Sequence, residues 1–551
     1  MKKYLQSSSM TTSSSTAATL PSTIIKSSTQ SHRCFHFGII LMATSLAGIL
    51  LLTIFYHSTS TINYKYSIAI DSGSTHSRVV LFRWKADKLN DTGLIEEIDS
   101  CRVNQPISTN DGSKVNMVAD ELFHCIRNIT TNIKVKNENI SIYLGATAGM
   151  RLLNQTEPNL VSRIFDQIRK KFQTSGMNIR RISIISGQEE GMFAWIAVNY
   201  LSGTLFNRIQ MNNKSSFGIL DMGGSSAQIA RAVLLNEQNN RTMINNDDDG
   251  NYQQIRLFGN EYKIHTFSNL CFGAEQALFR YIRLLISRQS DKNGKINVPC
   301  FPIGYRTLSS KFPLYDNICT AMKSKSAIEN NNEHNEYDLI GTGQLQQCQQ
   351  DIEWLINREK CTENFEICFK EIPITTNTTN DDDRQRQMDL FYYAISAYYH
   401  ETKVLRFKKF ENISRQQYLN EYHQMCSKTF DQLNEELRID KKFTASMCFK
   451  LPYVISTLTN VYKFNDKTWS RLKFAQDVNK SYIGWVTGMM ISETNQIPGE
   501  RPWIRLINNE IFLAMIITFI MILIISAMIV FYGRKNHRKM VKQTQVHSTI
   551  I

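Results

Sequence analysis

Two stretches of this 551-residue chain lack charge altogether, and the tails outside them lack acid. Phe37 to Phe55, "FGIILMATSLAGILLLTIF", and Ile511 to Tyr532, "IFLAMIITFIMILIISAMIVFY", contain no Asp, Glu, Lys or Arg. Uncharged runs of about 20 residues predict a bilayer-spanning helix at each end and disfavour buried soluble helices. A cleaved signal peptide is disfavoured at the first, because its apolar run exceeds the usual ~7–15 residues and a 36-residue tail precedes it. Residues 1–36 have Lys2, Lys3, Lys26 and Arg33 with no acid; residues 533–551 have Arg534, Lys535, Arg538, Lys539 and Lys542 with none. Both tails are therefore expected in the cytoplasm. Together they hold nine of the formal +14, so the basic balance reflects membrane topology and does not argue for nucleic-acid binding.

The tails also lack glycosylation sequons and, apart from Cys34, cysteine. All nine sequons begin in the middle segment, at Asn90, Asn128, Asn139, Asn154, Asn213, Asn240, Asn377, Asn412 and Asn479. Ten of the eleven cysteines are there too, an even number suited to an oxidising compartment and at spacings unlike a zinc site. A large ectodomain held at both ends is expected. The Ser/Thr-rich residues 1–36 read as a disordered tail, and the Asp runs at 247–249 and 381–383 as solvated loop charge rather than metal ligands.

Within the ectodomain, "YSIAIDSGSTHSRVVLFRW" (66–84) places Asp71, Gly73, Ser74 and Thr75 between two strand-like runs. A plain hairpin turn needs less. Glycine lets backbone approach an anion, hydroxyls donate to its oxygens and the Asp faces a metal, which together describe a phosphate cradle. "FGILDMGGSSAQIAR" (217–231) repeats the pattern, Asp221 on Asp71 and Gly223 on Gly73. This internal echo suggests two related lobes, each offering a loop to a shared cleft. Between the copies, "IYLGATAGMRLL" contains Thr147 and Arg151, and "ISIISGQEEGMFAWIAVNYLSG" opens a helix with Glu189 and Glu190. Acids in a first helical turn usually complement the dipole; beside a phosphate cleft one could take a proton from water.

The ordered set "DSGSTHS", "ATAGMR", "GQEEGMFAWIAVNYL", "DMGGSSAQI" and "IGWVTGMM" resembles the five apyrase conserved regions of the ecto-nucleoside triphosphate diphosphohydrolases. "FGNEYKIHTFSNLCFGAEQAL", "CFPIGY", "GTGQLQQCQQDI" and "NQIPGERP" also fit the cell-surface members. The resemblance implies an α/β fold of two actin-like, ribonuclease-H-like lobes with the nucleotide between them. The expected organisation is a cytoplasmic tail (1–36), a transmembrane helix (37–55), the apyrase domain (56–510), a second transmembrane helix (511–532) and a basic cytoplasmic tail (533–551). One lobe would span about 56–205, with the chain returning near 470–510, and the other about 206–470.

By the same resemblance Asp71 and Asp221 would hold a hydrated Ca²⁺ or Mg²⁺ through water. Gly73, Ser74, Thr75 and His76 would form the first phosphate loop, and Gly223, Gly224, Ser225 and Ser226 the second. Thr147 would contact the terminal phosphoryl group, Arg151 support that loop, Gln228 help place the metal shell or attacking water, and Glu190 act as catalytic base. Ser72, Met222 and Ala227 depart from the usual Ala, Leu and Thr. In "LFYYAISAYYHETKVL" and the last motif, Tyr398, Tyr399 and Trp485 are candidates to stack on the nucleobase. The implied disulfides are Cys101–Cys125, Cys271–Cys319, Cys300–Cys348, Cys361–Cys368 and Cys426–Cys448. The expected activity is removal of terminal phosphates from extracellular nucleoside tri- and diphosphates at the plasma membrane. The alternatives are a luminal Golgi or lysosomal diphosphatase of the same family, or a catalytically silent nucleotide-binding surface receptor. A homo-oligomer is left open.

Overall fold

The computed structural model describes residues 22–58, 64–108, 112–133, 140–206, 216–233, 251–288, 294–315, 317–323, 336–370, 390–407, 410, 412–500 and 509–548. The chain forms two compact units, one of residues 1–62 with 501–551 and one of residues 63–500.

In the first unit the uncharged runs lie within the helices Ser22–Ser58 and Asn509–Ser548. The two pack antiparallel. Phe35 lies against Gly533, Gly38 against Val530, Gly48 against Phe519, and Tyr56 stacks on Phe512 while its hydroxyl donates to Asn509. Both chain ends therefore leave the pair on the same side. Arg33–Tyr56 and Asn509–Lys539 are long and apolar enough to cross a membrane.

The larger unit is built on two sheets. In the first, β1 (Tyr64–Ser72), β2 (Ser77–Lys85) and β3 (Glu96–Val103) form an antiparallel meander, and β4 (Ile140–Ala146) and β5 (Asn178–Ile184) add parallel on the other side of β1, in the order β3-β2-β1-β4-β5. The apolar runs flanking Asp71 are β1 and β2, buried on both faces through most of their length, as a sheet covered on both sides requires. The second sheet contains β6 (Gly218–Met222), β7 (Ser226–Ala232), β8 (Tyr252–Leu257), β9 (Asn260–Leu270), β13 (Tyr392–Ser396) and β14 (Leu472–Phe474), ordered β14-β13-β6-β7-β9-β8. Without β8, its connectivity repeats the first sheet: β6, β7 and β9 antiparallel, β13 and β14 parallel beyond β6. This duplicated α/β arrangement is the actin-like fold. A small satellite sheet, β10 (Lys295–Val298), β11 (Arg306–Leu308) and β12 (Asp338–Gly341), belongs to the second half.

Three cores hold the unit together. Helices Gly112–Thr130 and Pro158–Thr174 cover the outer face of the first sheet with Val115, Leu122, Ile164 and Phe172. Helices Ala274–Arg288 and Lys441–Ser456 cover the second with Tyr281, Leu284 and Phe449. Between the sheets lie the helices Gly187–Leu201 and Trp485–Thr494, packed through Trp195, Ile196, Met489 and Met490. A helix apolar all round is a buried helix, which explains why "GMFAWIAVNYL" has no polar face. The return of the chain comes later than residue 470: β14 still belongs to the second sheet, and the helix from Trp485 joins the core between the two.

The structure bonds Cys101–Cys125, Cys271–Cys319, Cys300–Cys348, Cys361–Cys368 and Cys426–Cys448, the same pairs the resemblance implies, and leaves Cys34 free and exposed. Asn90, Asn128, Asn154, Asn412 and Asn479 are exposed. Asn139, Asn213, Asn240 and Asn377 lie outside the described residues.

Candidate active site

Each aspartate ends the first strand of a hairpin. Asp71 pairs with Arg78 across β1 and β2; Asp221 pairs with Gln228 across β6 and β7. The turns close alike, Gly73 N–H donating to the His76 carbonyl (3.0 Å) and Gly223 N–H to the Ser226 carbonyl (2.9 Å). The loops meet. A Cβ on Gly224 would stand 2.6 Å from Ser74 Oγ on the other lobe's loop. Thr147 closes one side, its backbone N–H donating to the Ser72 carbonyl. On the other, the helix Ala274–Arg288 abuts the second loop, with Glu275 and Gln276 N–H donating to the Gly224 carbonyl.

Glu189 and Glu190, adjacent in sequence, have unlike surroundings. Glu189 completes a capping box with Ser186 and pairs with Arg181. Glu190 turns into the cleft and is buried, 7% exposed. Its Oε2 accepts from Arg151 (2.8 Å) and Gln228 Nε2 (3.2 Å), and its Oε1 takes no part in those bonds. Arg151 also donates to the Ile185 carbonyl and to Ser226 Oγ, so one guanidinium joins the first lobe, Glu190 and the second loop. Ser226 Oγ also accepts from Gln228 Nε2 (2.6 Å). Ala227 faces the second core, so its missing hydroxyl is not one that side of the cleft uses.

Burial pushes Asp71 up to about 8, with Glu190 and Asp221 adding repulsion and Arg78 and a hydrogen bond from Trp485 acting against it. Burial likewise pushes Asp221 up to about 7, Glu190 adding to it and a hydrogen bond from Ser396 opposing it. His76 is held near 4 by burial and by the positive neighbours Arg102 and His400. The His76 ring Nδ1 lies 2.9 Å from the Thr75 hydroxyl.

The structure separates the three aromatic candidates. Tyr398 is fully buried in the second core and has no ring face for a base. Trp485 is 4% exposed and packed against Gly145 in the core between the sheets, so its ring has no face for a base. Tyr399 remains, half-buried, edge-on to His400 and Phe410 with Lys403 over its ring. Sequence reasoning missed the fork of Arg151 onto Glu190 and Ser226, residues 39 and 75 positions away along the chain, for which no local signal exists.

Comparison with known proteins decides the family. The GDA1/CD39 (nucleoside phosphatase) family profile matches residues 57–506. The chain belongs to that family. It is similar to ectonucleoside triphosphate diphosphohydrolase 1 of Rattus norvegicus, 28% identical over 472 residues that cover 84% of this chain and 87% of the relative. Against ectonucleoside triphosphate diphosphohydrolase 8 of Gallus gallus it is 30% identical over 459 residues, covering 79% and 84%. Among solved structures, a nucleoside triphosphate hydrolase from Neospora caninum shares the fold, with a TM-score of 0.51, 14% identity and coverage of 79% of this chain and 93% of that one.

Membership in the GDA1/CD39 family makes the chain a hydrolase, and its acids fit a divalent cation. Asp71, Asp221 and Glu190 crowd one buried site where they repel one another, and Gln228 Oε1 is buried there without a hydrogen-bond partner. A divalent cation relieves both conditions. Among the described residues no three His, Cys, Asp or Glu side chains form a cluster that could hold an ion directly.

Proposed function

We propose that this GDA1/CD39 chain is an ecto-apyrase that removes the terminal phosphates of extracellular nucleoside tri- and diphosphates, leaving the monophosphate and inorganic phosphate. A hydrated Ca²⁺ or Mg²⁺, when bound, supplies charge neutralisation at the phosphate oxygens. Asp71 and Asp221 hold that hydration shell from opposite lobes. Backbone N–H groups and hydroxyls of 73–76 and 223–226 grip the phosphates, and Thr147 contacts the terminal one. Glu190 takes a proton from the attacking water through Oε1, while Arg151 and Gln228 keep its other oxygen in place. Positioning, a base and charge neutralisation are sufficient for in-line attack, and no residue becomes phosphorylated. Tyr399 is the remaining aromatic for the base. The acid-free basic tails and the antiparallel helix pair support a protein with both termini in the cytoplasm and residues 63–500 outside the cell, at the plasma membrane.

The observation that carries this reading is the convergence of Glu190 with both aspartate hairpins and Arg151 in one cleft. Glu190→Gln tests it. The amide keeps size and hydrogen bonding but removes the base, so phosphate release should fall about 10²–10⁴-fold while a non-hydrolysable nucleotide still binds. Glu189→Gln should stay near the parent rate, because glutamine also completes a capping box. Loss of turnover in Glu189→Gln alone would identify the wrong carboxylate; no loss in either would remove the mechanism.

A further inference from the structure

Gln228 on β7 and Ser268 on β9 are directly opposite each other, and Ala230 faces Thr266 at the next pair on the same side of the sheet. That side carries the helix Gly187–Leu201. A Cβ on Gly187 would stand 2.1 Å from Ser268 Oγ, and one on Gly191 would stand 2.4 Å from Thr266 Oγ1 and 3.6 Å from Gln228 Cβ. Glycines four residues apart lie on one side of a helix, so the first turn rests on the two β9 hydroxyls. Glu190, three residues after Gly187, shares that side, whereas Glu189 is turned away from it.

The two hydroxyls have different partners. Thr266 is fully buried and donates to the Gln188 carbonyl (3.1 Å), a contact that belongs to the packing of helix on strand. Ser268 is half-buried and accepts from Gln228 Nε2 (3.1 Å). The same nitrogen reaches Ser226 Oγ (2.6 Å) and Glu190 Oε2 (3.2 Å), so two hydrogens serve three oxygens and the place of each oxygen decides how the amide lies. The last torsion of a glutamine side chain is broad, so Gln228 does not hold this orientation by itself. Hydroxyls on two different strands hold it, and a planar amide whose nitrogen is fixed has its carbonyl oxygen fixed as well. That oxygen is the buried Oε1 without a hydrogen-bond partner.

We propose that Ser268 is a positioning residue for the hydrolytic reaction: its hydroxyl fixes the Gln228 amide, and through it the Glu190 carboxylate, in the orientation that attack by water needs. This rests on Glu190 acting as the base, as set out above. Ser268 touches neither the base nor the substrate, and acts only through Gln228.

The test uses the full-length glycosylated chain in detergent at saturating Ca²⁺ or Mg²⁺, with steady-state phosphate release from a nucleoside triphosphate and the thermal midpoint as readouts. Ser268→Ala should lower kcat about tenfold, the worth of one hydrogen bond, with little change in KM. Thr266→Val removes the neighbouring hydroxyl under the same helix without touching Gln228, so it should lower the thermal midpoint and leave kcat near the parent's. The deciding measurement is a double-variant cycle. Ser268→Ala added to Gln228→Ala should lower kcat no further, because its target is gone, whereas a merely structural loss would multiply. An unchanged kcat in Ser268→Ala, a full further loss in the double variant, or an equal loss in Thr266→Val overturns the proposal. Glu190→Gln separates the two levels. If it loses turnover and Ser268→Ala does not, the role of Ser268 alone is wrong; if it keeps turnover, the reading of Glu190 is wrong and Ser268 falls with it.

Discussion

Neighbouring helix positions point about 100° apart, and in this chain that rotation separates a cap from a candidate base and a core ring from a candidate base platform. Glu189 turns back to its own helix end and Arg181, whereas Glu190 meets Arg151 and Gln228. Tyr398 enters the core and Tyr399 does not. Arg151 tests how closely such placement matters. It reaches the Ile185 carbonyl, Glu190 and Ser226 through a planar fork, which a lysine can satisfy only in part. Arg151→Lys should therefore lower kcat by about 10–100-fold, with a smaller change in KM, because the base is displaced rather than removed. Steady-state phosphate release over a range of nucleotide concentrations measures both.

At the scale of elements, the two Asp-x-Gly hairpins were legible because strand alternation, a glycine turn and small polar residues are all local signals. The supports behind them were not. Lys450, 3% exposed, sits on the helix Lys441–Ser456 and pairs with Glu275 at 2.5 Å and Glu401 at 3.7 Å. Glu275 begins the helix that backs the second loop, and Glu401 lies on the helix that leaves Ser396. Burial and the nearby Glu275 raise Glu401, with Lys450 acting against them. Lys450→Met leaves two partly buried carboxylates without their cation and should cost about 2–4 kcal/mol of stability, below the cost for a fully buried pair. Adding Glu401→Gln should restore part of that loss. Thermal or denaturant unfolding of the single and double variants checks both the sign and the rescue; a double variant no more stable than the single would show that the pair repulsion is not the cause.

For the whole molecule, the membrane helices and the disulfides make separate demands. The antiparallel pairing of Ser22–Ser58 with Asn509–Ser548 sends both termini to one side, and nine basic residues without an acid predict that side to be cytoplasmic. Tags at either end should be unreachable by antibody on intact cells and reachable after permeabilisation, and a glycosidase should increase gel mobility. Surface staining of either tag would reverse the arrangement. Four of the five disulfides lie in the second half of residues 63–500, which has the satellite sheet and the longer excursions from its core. At roughly 2–4 kcal/mol each, they make that half the one most dependent on an oxidising compartment.

The sequence by itself determined the two apolar spans and each of the two Asp-x-Gly hairpins, because each is written within about 20 neighbouring residues. Resemblance added the cysteine pairs and the choice of Glu190. Only the tertiary structure decided which side chains meet: Trp485 against Gly145, Arg151 between Glu190 and the second loop, and Tyr398 away from the cleft. Those contacts join residues separated by up to 340 positions, where no periodicity reaches. They follow from the packing of two sheets around one buried pair of helices.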